Sequence, residues 1–257
     1  MNRENEKITT GGTLVCTIGG KGGCGKTTFI AHLIALLLLL SIKLRIYDFE
    51  EGDSQSGLKR YFPEAEKLPL HLKQNQERHS YLNRLINDFE TSPGGLSIVD
   101  LPANSGDVFL QWAKGVPWKT LQAHGIRVVM IANATDDSDT LRLALRWIRE
   151  LQEKVTFVAV ENQGLGSTFA AWRKSKQGVE FDATCKPVRV SFPKIPADWF
   201  AILENAGKTI FSPQEQLAKL LQLHWMEQGQ LELLQNDVRI GMDPVIKLLI
   251  ESYGDQH

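Results

Sequence analysis

Short apolar runs alternate with longer, helix-like segments along most of the chain. The runs that are short and apolar enough for buried strands cover residues 13–18, 43–48, 96–100, 125–133, 155–162 and 188–192. The segments between them that have the length and apolar pattern of helices cover residues 29–42, 74–90, 136–150 and 167–176. This alternation predicts an α/β protein, a three-layer α/β/α sandwich with a mostly parallel sheet.

The two ends of the chain differ from its middle. Residues 1–10 are polar, and we expect them to form a loose tail. Residues 211–257 are expected to form a helical C-terminal part, with helices at 212–225 and 243–253 after one at 197–205. Because no repeat or low-complexity linker interrupts the chain, we predict a single domain over residues 1–257.

Composition narrows the class of protein. Apolar residues make up 42% of the chain, which is ample for a buried core, and 29 basic against 30 acidic residues give a net charge of −1. A chain this neutral has no overall field to attract nucleic acid or an anionic membrane. Three widely spaced cysteines argue against a disulfide framework and a zinc ribbon, so we expect a reduced, cytoplasmic setting. The longest apolar run, 29–42, is too short to span a bilayer.

A glycine-rich turn joins the first strand to the first long helix. Residues 20–27 read Gly-Lys-Gly-Gly-Cys-Gly-Lys-Thr and fit the phosphate-binding loop G-x-x-x-x-G-K-[ST] at every required position. Glycines let backbone N–H groups turn toward an anion, and the following helix N-terminus adds partial positive charge. Lys26 would reach the β- and γ-phosphates, and the Thr27 hydroxyl would ligate Mg²⁺. The alternative is a turn that binds nothing, and the flanking strand and helix argue against it.

Acidic and amide side chains follow three of the predicted strands. Asp48 and Glu50 follow the second strand, Asp100 ends the third, and Asn162 ends the fifth. Ligands of open α/β sheets bind at the carboxyl ends of the strands, so we expect these residues near the phosphate loop. Asp100 has the form of a Walker B carboxylate that contributes to a Mg²⁺ shell. Solvated acids and an ordinary loop amide are the alternatives.

In sum, these motifs resemble the ParA/MinD family of deviant Walker A P-loop ATPases, whose loop reads K-G-G-x-G-K-[ST]. Lys21 matches the additional lysine of that loop, and Cys24 stands where the family often has valine. The resemblance extends over about residues 12–210, and residues 193–207 are similar to ParA-like ATPases of conjugative and mobilisable plasmids. It implies a P-loop NTPase fold that binds ATP and Mg²⁺.

The resemblance also implies a role for each site residue. Lys21 would reach across a dimer to the nucleotide of the other subunit, Asp48 would orient water or the Mg²⁺ shell, and Asn162 would pair with the adenine edge. Glu50 replaces the family's second aspartate and Glu51 its proline, which implies slow or altered hydrolysis. The expected catalytic residues are Lys21, Lys26, Asp48 and Glu50. The expected nucleotide contacts are Gly20, Lys21, Gly22, Gly23, Cys24, Gly25, Lys26, Thr27, Thr28 and Asn162. The expected Mg²⁺ ligands are Thr27, Asp48 and Asp100.

Local charge suggests where partners could bind. Residues 172–194 contain six basic and two acidic residues, and together with Trp172 they could contact a nucleic-acid backbone. A solvated surface is nevertheless the interpretation that we favour for this region, and for Arg142, Arg146 and Arg149 as well. The last helix has a single lysine, so it is expected to pack on the domain or a dimer partner rather than bind a membrane.

The leading hypothesis is an ATP-dependent dimerisation switch. It would form a homodimer on ATP binding and hydrolyse ATP with the help of a partner protein. Non-specific contact with DNA is a further option that the basic region leaves open. The protein would act in plasmid partition, DNA mobilisation or intracellular positioning. The alternative is a nucleotide-bound adaptor that hydrolyses weakly or not at all. Lys21 argues against a third class, ATP-dependent ligases similar to dethiobiotin synthetase. The lack of paired cysteines argues against the metal-cluster carriers of the same family.

Overall fold

The structure is a computed structural model that describes residues 11–18, 21–49, 57–67, 75–103 and 106–254, with the backbone alone for 75–78 and 252–254. The predicted tail at 1–10, Gly20, Glu50 and Glu51 lie outside the described residues.

A parallel sheet forms the middle layer. Its seven strands within the described residues are β1 Gly12–Thr17, β2 Leu44–Asp48, β3 Glu66–Lys67, β4 Gly95–Asp100, β5 Ile126–Ala134, β6 Thr156–Asn162 and β7 Val188–Phe192. They are arranged in the order β3-β2-β4-β1-β5-β6-β7, and every pair of neighbours is parallel. All six strands predicted from the sequence are therefore present. Only the two-residue edge strand β3 was missed.

Helices cover both faces of the sheet. In the described part of the chain they are α1 Lys26–Leu39, α2 Asn75–Thr91, α3 Gly106–Gly115, α4 Trp118–Ala123, α5 Ser138–Leu151, α6 Ala170–Lys174, α7 Lys176–Cys185, α8 Ala197–Asn205, α9 Gln214–Leu220 and α10 Trp225–Gly254. Helices α2–α7 pack on one face, and α1 packs with α8–α10 on the other. The predicted three-layer α/β/α architecture is confirmed.

Alternation along the strands separates two apolar cores. In β1, Leu14 and Cys16 point into the core under α2–α7, whereas Val15 points into the core under α1 and α8–α10. In β5, Met130 and Ile131 divide in the same way. A strand buried on both faces has apolar residues at consecutive positions, which is why these strands appeared in the sequence as continuous apolar runs.

Two predictions about the C-terminal helices are wrong. The helix predicted at 212–225 ends at Leu220, and its N-cap is Pro213 without a side-chain cap bond. Pro244 does not start a new helix, because α10 already began at Trp225 and continues through it. Proline lacks the N–H that a helix interior uses, but Pro244 lies on the exposed side, where solvent can reach the unpaired carbonyl. Val245, Ile246 and Leu249 are buried in the core under α10.

We found no helix, among those described, with the length and apolar character needed to cross a membrane.

Candidate functional site

The glycine-rich loop lies between β1 and α1, as the motif requires. Gly23 and Gly25 have φ angles of 71° and 79°, a left-handed conformation that favours glycine. Gly25 is also the N-cap of α1, and a Cβ there would overlap the Asn162 amide. Close packing at Gly25 therefore brings the loop against the end of β6. Strand, loop and helix are therefore arranged in the way that the phosphate-binding loop motif requires.

The invariant lysine of the motif is folded back onto the loop. Lys26 is buried, and its ammonium group donates a hydrogen bond of 2.7 Å to the backbone carbonyl of Lys21. The Cys24 thiol donates to the same carbonyl at 3.3 Å. A buried ammonium group in a glycine-rich loop that leads into a helix N-terminus can attract an anion.

A hydroxyl–carboxylate cluster lies beside the lysine. Asp100, at the end of β4, accepts hydrogen bonds from Thr27 at 2.5 Å and from Thr17 at 2.9 Å. The Thr17 hydroxyl in turn accepts from the backbone N–H of Leu101 at 2.7 Å. Burial raises the pKa of Asp100 to about 6, although the bonds from both threonines and the charge of Lys26 oppose that rise. The carboxylate that the sequence identified as Walker B therefore lies where the motif threonine reaches it.

Asp48 is adjacent to Asp100 but has different partners. The two residues are register partners across β2 and β4, and Asp48 is completely buried. Its carboxylate accepts from the backbone N–H of Lys59 at 3.1 Å and lies 4.0 Å from the Lys67 ammonium. Both acids therefore lie at the predicted edge of the sheet, and the Asp48 carboxylate faces the Lys59 backbone N–H and the Lys67 ammonium group.

Lys21 is paired within its own chain. Its ammonium group forms an ion pair with Asp137 and lies 3.8 Å from a carboxylate oxygen of Asp139. Asp137 is also the N-cap of α5, where it accepts from the N–H of Asp139 at 2.8 Å. The hydrogen bond from Lys21 lowers the pKa of Asp137. No pattern in the sequence indicated this partner of Lys21.

A cavity of about 350 Å³ opens on the other side of the loop. It is lined by Gly25, Thr28, Asn162, Phe192 and Pro193, among others. Asn162 is buried, and its amide oxygen accepts from the N–H of Gly164 at 3.0 Å. The side-chain NH₂ of Asn162 is therefore the group left to donate to a ligand.

Asn133 is a site residue that the sequence analysis missed. It lies near the end of β5, and its side-chain NH₂ donates to the backbone carbonyl of Cys24 at 3.2 Å. Its amide oxygen is buried and has no hydrogen-bond partner among the residues that the structure describes. The only signal in the sequence was a polar residue at the end of an apolar strand, which is common.

The tryptophan of the basic region at 172–194 is not exposed at the surface. Trp172 is fully buried in the core, and its indole N–H donates to the Thr140 hydroxyl at 3.1 Å. Arg173 pairs with Glu161, and Arg189 pairs with Asp182. The sequence left open a contact between Trp172 and nucleic acid, and that contact is wrong, because the ring completes the core. Lys174, Lys176 and Lys186 are exposed.

The α5 arginines are solvated, as expected. Arg142, Arg146 and Arg149 are exposed and pair with Asp139, Asp107 and Glu180, in that order.

Comparison with known proteins finds distant structural neighbours. No protein-family model and no curated protein matches the chain. FlhF complexed with GTP and Mg²⁺ is 14% identical with a TM-score of 0.41, over 72% of this chain and 67% of that one. The signal recognition particle receptor FtsY from Elizabethkingia anophelis is 11% identical with a TM-score of 0.45, over 83% and 65%. A nucleotide-binding protein in complex with ADP from Archaeoglobus fulgidus is 16% identical with a TM-score of 0.43, over 79% and 89%. Membership of the ParA/MinD family stays a prediction.

Proposed function

We propose that this chain binds ATP with Mg²⁺, forms a homodimer in the ATP state and hydrolyses the nucleotide slowly. The main support is the cluster at the start of α1, where buried Lys26 lies next to the Thr27–Asp100 pair. Loop amides and an ammonium group suit a triphosphate, and a hydroxyl with a carboxylate suits Mg²⁺.

The oxygen ligands that the site offers suit Mg²⁺, which takes few protein ligands, better than a metal that is bound by protein side chains alone. In the described part of the chain, no group of three or more His, Cys, Asp or Glu side chains could hold a metal ion. Mg²⁺ usually keeps water and phosphate oxygens and takes only one or two carboxylates from the protein. Thr27 and Asp100 would hold it, with Asp48 next to them. Bound Mg²⁺ would neutralise charge on the β- and γ-phosphates.

The cavity beside the loop would hold the base. Asn162 would donate from its NH₂ group to a ring nitrogen, because its oxygen is already bonded to Gly164. Phe192 and Pro193 provide an apolar wall for the ring. Adenine, with unprotonated ring nitrogens on its edge, suits this arrangement.

Lys21 would couple the nucleotide to the dimer. Its partner Asp137 lies at the surface, so the ammonium group can exchange that contact for a phosphate of the second subunit. An equilibrium that favours the dimer only with ATP needs several kcal/mol of differential affinity. A second cation on each triphosphate is a source of that energy.

Calorimetric titration with ATP and GTP, with and without Mg²⁺, tests the binding site. We expect Mg²⁺-dependent binding of ATP that weakens by at least about tenfold in Lys26→Ala, because a charged hydrogen-bond donor is removed. Lys174→Ala, a change at an exposed lysine away from the loop, is the matched control. Equal binding by Lys26→Ala and the unchanged protein would contradict the site.

Light scattering after size exclusion tests the switch. In dilute solution, below the protein concentrations at which the chain associates without nucleotide, we expect the mass to double with ATP in the unchanged protein and to remain that of a monomer in Lys21→Ala. If Lys21→Ala binds ATP and dimerises like the unchanged protein, the role of Lys21 is refuted while the nucleotide site stands.

A nucleotide-bound adaptor is the second candidate, and the setting of Asp48 favours it. A carboxylate that accepts from Lys59 N–H and faces Lys67 is less available to hold an attacking water. Steady-state phosphate release, measured alone and with candidate partners and DNA, distinguishes the two. Release that stays at the background rate under all conditions supports the adaptor.

The cellular output we propose is plasmid partition, DNA mobilisation or intracellular positioning, with a partner protein that stimulates hydrolysis. Lys174, Lys176 and Lys186 are exposed and could contact DNA phosphates. DNA binding by this surface should fall steeply with salt concentration and weaken in the triple alanine variant.

A further inference from the structure

Helix α10 has apolar residues on two opposite faces. Leu231, Val238 and Met242 are buried against the rest of the chain. On the opposite side, Met226, Leu233 and Ile240 are 59%, 68% and 64% exposed. A surface helix normally has one apolar stripe and one polar face. The exposed stripe, residues 226, 233 and 240, therefore lacks a partner within the described chain.

The spacing of the stripe is that of helix–helix packing. Its members are seven residues apart, so they drift by only about 20° around the helix per repeat. A coiled coil has a second apolar position in each repeat, whereas this face has one apolar residue in seven, so the stripe suits a short helix pair rather than a supercoil. At about 1.5 Å per residue, the stripe is about 21 Å long.

We propose that a second copy of this chain covers the stripe, with the two α10 helices antiparallel. Charge favours this occupant. Glu232 and Arg239 are exposed and flank the stripe on the same side, where Glu232 accepts from Gln214 and Arg239 lies over the Phe211 ring within one chain. In an antiparallel pair that side meets the same side of the second copy, so both residues can exchange these surface contacts for each other. Each Glu232 then faces an Arg239, twice by symmetry. A parallel pair would instead place Glu232 near Asp237 of the second copy, which is repulsive.

An exposed tryptophan agrees with the same register. Trp225 is 81% exposed at the start of α10. The midpoint between Trp225 and Ile246 along the helix coincides with the midpoint between Glu232 and Arg239. The antiparallel register that pairs the two charged residues therefore also places Trp225 next to Ile246 of the second copy. Ile246 lies in a groove of about 1000 Å³ between α10 and the end of α1, lined also by Leu39 and Leu40. This groove would receive the indole of the second copy.

The interface is separate from the nucleotide site. The stripe lies on the outer surface of α10, and Lys21, Lys26 and Asp100 lie at the carboxyl edge of the sheet. Association through α10 needs no nucleotide. It therefore goes beyond the ATP-dependent dimer proposed above, and each can fail without the other.

Sedimentation equilibrium of the full chain without nucleotide, in the Lys21→Ala background, is the first test. We expect concentration-dependent dimers at tens of micromolar protein, because helix-pair interfaces are small. Leu233→Glu should weaken the dimer by at least tenfold, and Gln230→Glu, an exposed position beside the stripe, should change it little. A chain that stays monomeric at all concentrations overturns the proposal.

Charge reversal tests the orientation. Glu232→Arg and Arg239→Glu should each weaken the dimer several-fold, and the double variant should restore it. Failure of the double variant to restore association overturns the antiparallel pairing.

Cysteine cross-linking gives an independent check. The proposed register places Ile240 near Gly229 of the second copy, where a Cβ meets no other atom within one chain. Mild oxidation should join Ile240→Cys to Gly229→Cys when the two variants are mixed, and neither alone. Cross-links of each variant to itself would indicate a parallel pair and overturn the proposal. A partner helix of another protein would leave all of these variants monomeric and uncross-linked.

Discussion

At the scale of single residues, the site depends on groups that hold the loop as well as on groups that would touch a ligand. Asn133 bonds to the carbonyl of Cys24 from a neighbouring strand and so fixes one wall of the loop. Lys21 is held by Asp137 at the N-terminus of α5. Neither contact could be predicted from the motif, because both partners are more than a hundred residues away in the chain.

Asn133→Ala should loosen the phosphate loop. The loss of a buried hydrogen bond costs about 1–2 kcal/mol. We expect a lower midpoint of thermal unfolding without ligand and about five- to thirtyfold weaker ATP binding, measured by calorimetry. Asn236→Ala, an exposed asparagine on α10, is the control. Unchanged melting would show that the Asn133 contact does not hold the loop.

Asp137→Asn should release Lys21 while it keeps the cap of α5, since asparagine is an equally good N-cap. A free Lys21 should favour the ATP-bound dimer, so half-maximal dimerisation should occur at a protein concentration a few times lower. Light scattering across a dilution series measures it. Weaker dimerisation in Asp137→Asn would mean that Asp137 supports the active position of Lys21.

His32 should make stability depend on pH. It is buried in α1, where Nδ1 is 2.8 Å from the Thr28 carbonyl and Nε2 faces the N–H of Ile210, and burial lowers its pKa from 6.5 to about 4. The unfolded chain therefore binds a proton more readily between pH 6.5 and 4. Acidification through that range should remove up to about 3 kcal/mol of stability.

Denaturant unfolding at a series of pH values measures this effect as the difference between the unchanged protein and His32→Gln. The difference is needed because Asp100, with a raised pKa, acts in the opposite direction below pH 6. A constant difference from pH 7 to pH 4 would show that His32 does not titrate as proposed.

At the scale of elements, α10 packs on β7 through a glycine. A Cβ on Gly241 would overlap the carbonyl oxygen of Ser191. The same helix contains Gly229, around which a Cβ would meet nothing within 4 Å. One helix thus offers a crowded glycine and an open one.

Gly241→Ala should therefore destabilise the chain by about 1–3 kcal/mol, the usual cost of overpacking. Gly229→Ala should stabilise it by about 0.5–1 kcal/mol, because alanine is the better helix former. Chemical denaturation measures both. Stabilisation by Gly241→Ala would mean that helix and strand can separate without cost.

Whether an element could be predicted from the sequence depends on how it is buried and on whether its chemistry is local. Strands such as β1 and β5 are apolar on both faces, so a simple run of residues identified them. Local chemistry identified the phosphate loop and Asp100. The helix start predicted at Pro244 was wrong, and the sequence could not decide whether Trp172 lies in the core or at the surface, because tertiary packing determines both. Asn133 gave no local signal at all.

At the scale of the whole molecule, two separate self-association surfaces have a joint consequence. If each is two-fold symmetric, copies joined alternately through them extend beyond a dimer. With ATP and Mg²⁺ at high protein concentration, we expect species larger than a dimer in the unchanged protein. Leu233→Glu should stop at the ATP-dependent dimer, and Lys21→Ala at the α10 dimer. Analytical ultracentrifugation distinguishes them, and larger species in Leu233→Glu would refute this combination.

The contact between Gly241 and Ser191 connects helix α10 to the cavity proposed for the base. Ser191 is followed in the chain by Phe192 and Pro193, which line the cavity proposed for the base. Helix and strand touch there without a side chain between them to absorb a displacement. A displacement of α10 would therefore move the backbone next to the cavity. By thermodynamic reciprocity, a ligand bound in the cavity would in turn change the affinity of α10 for a second copy.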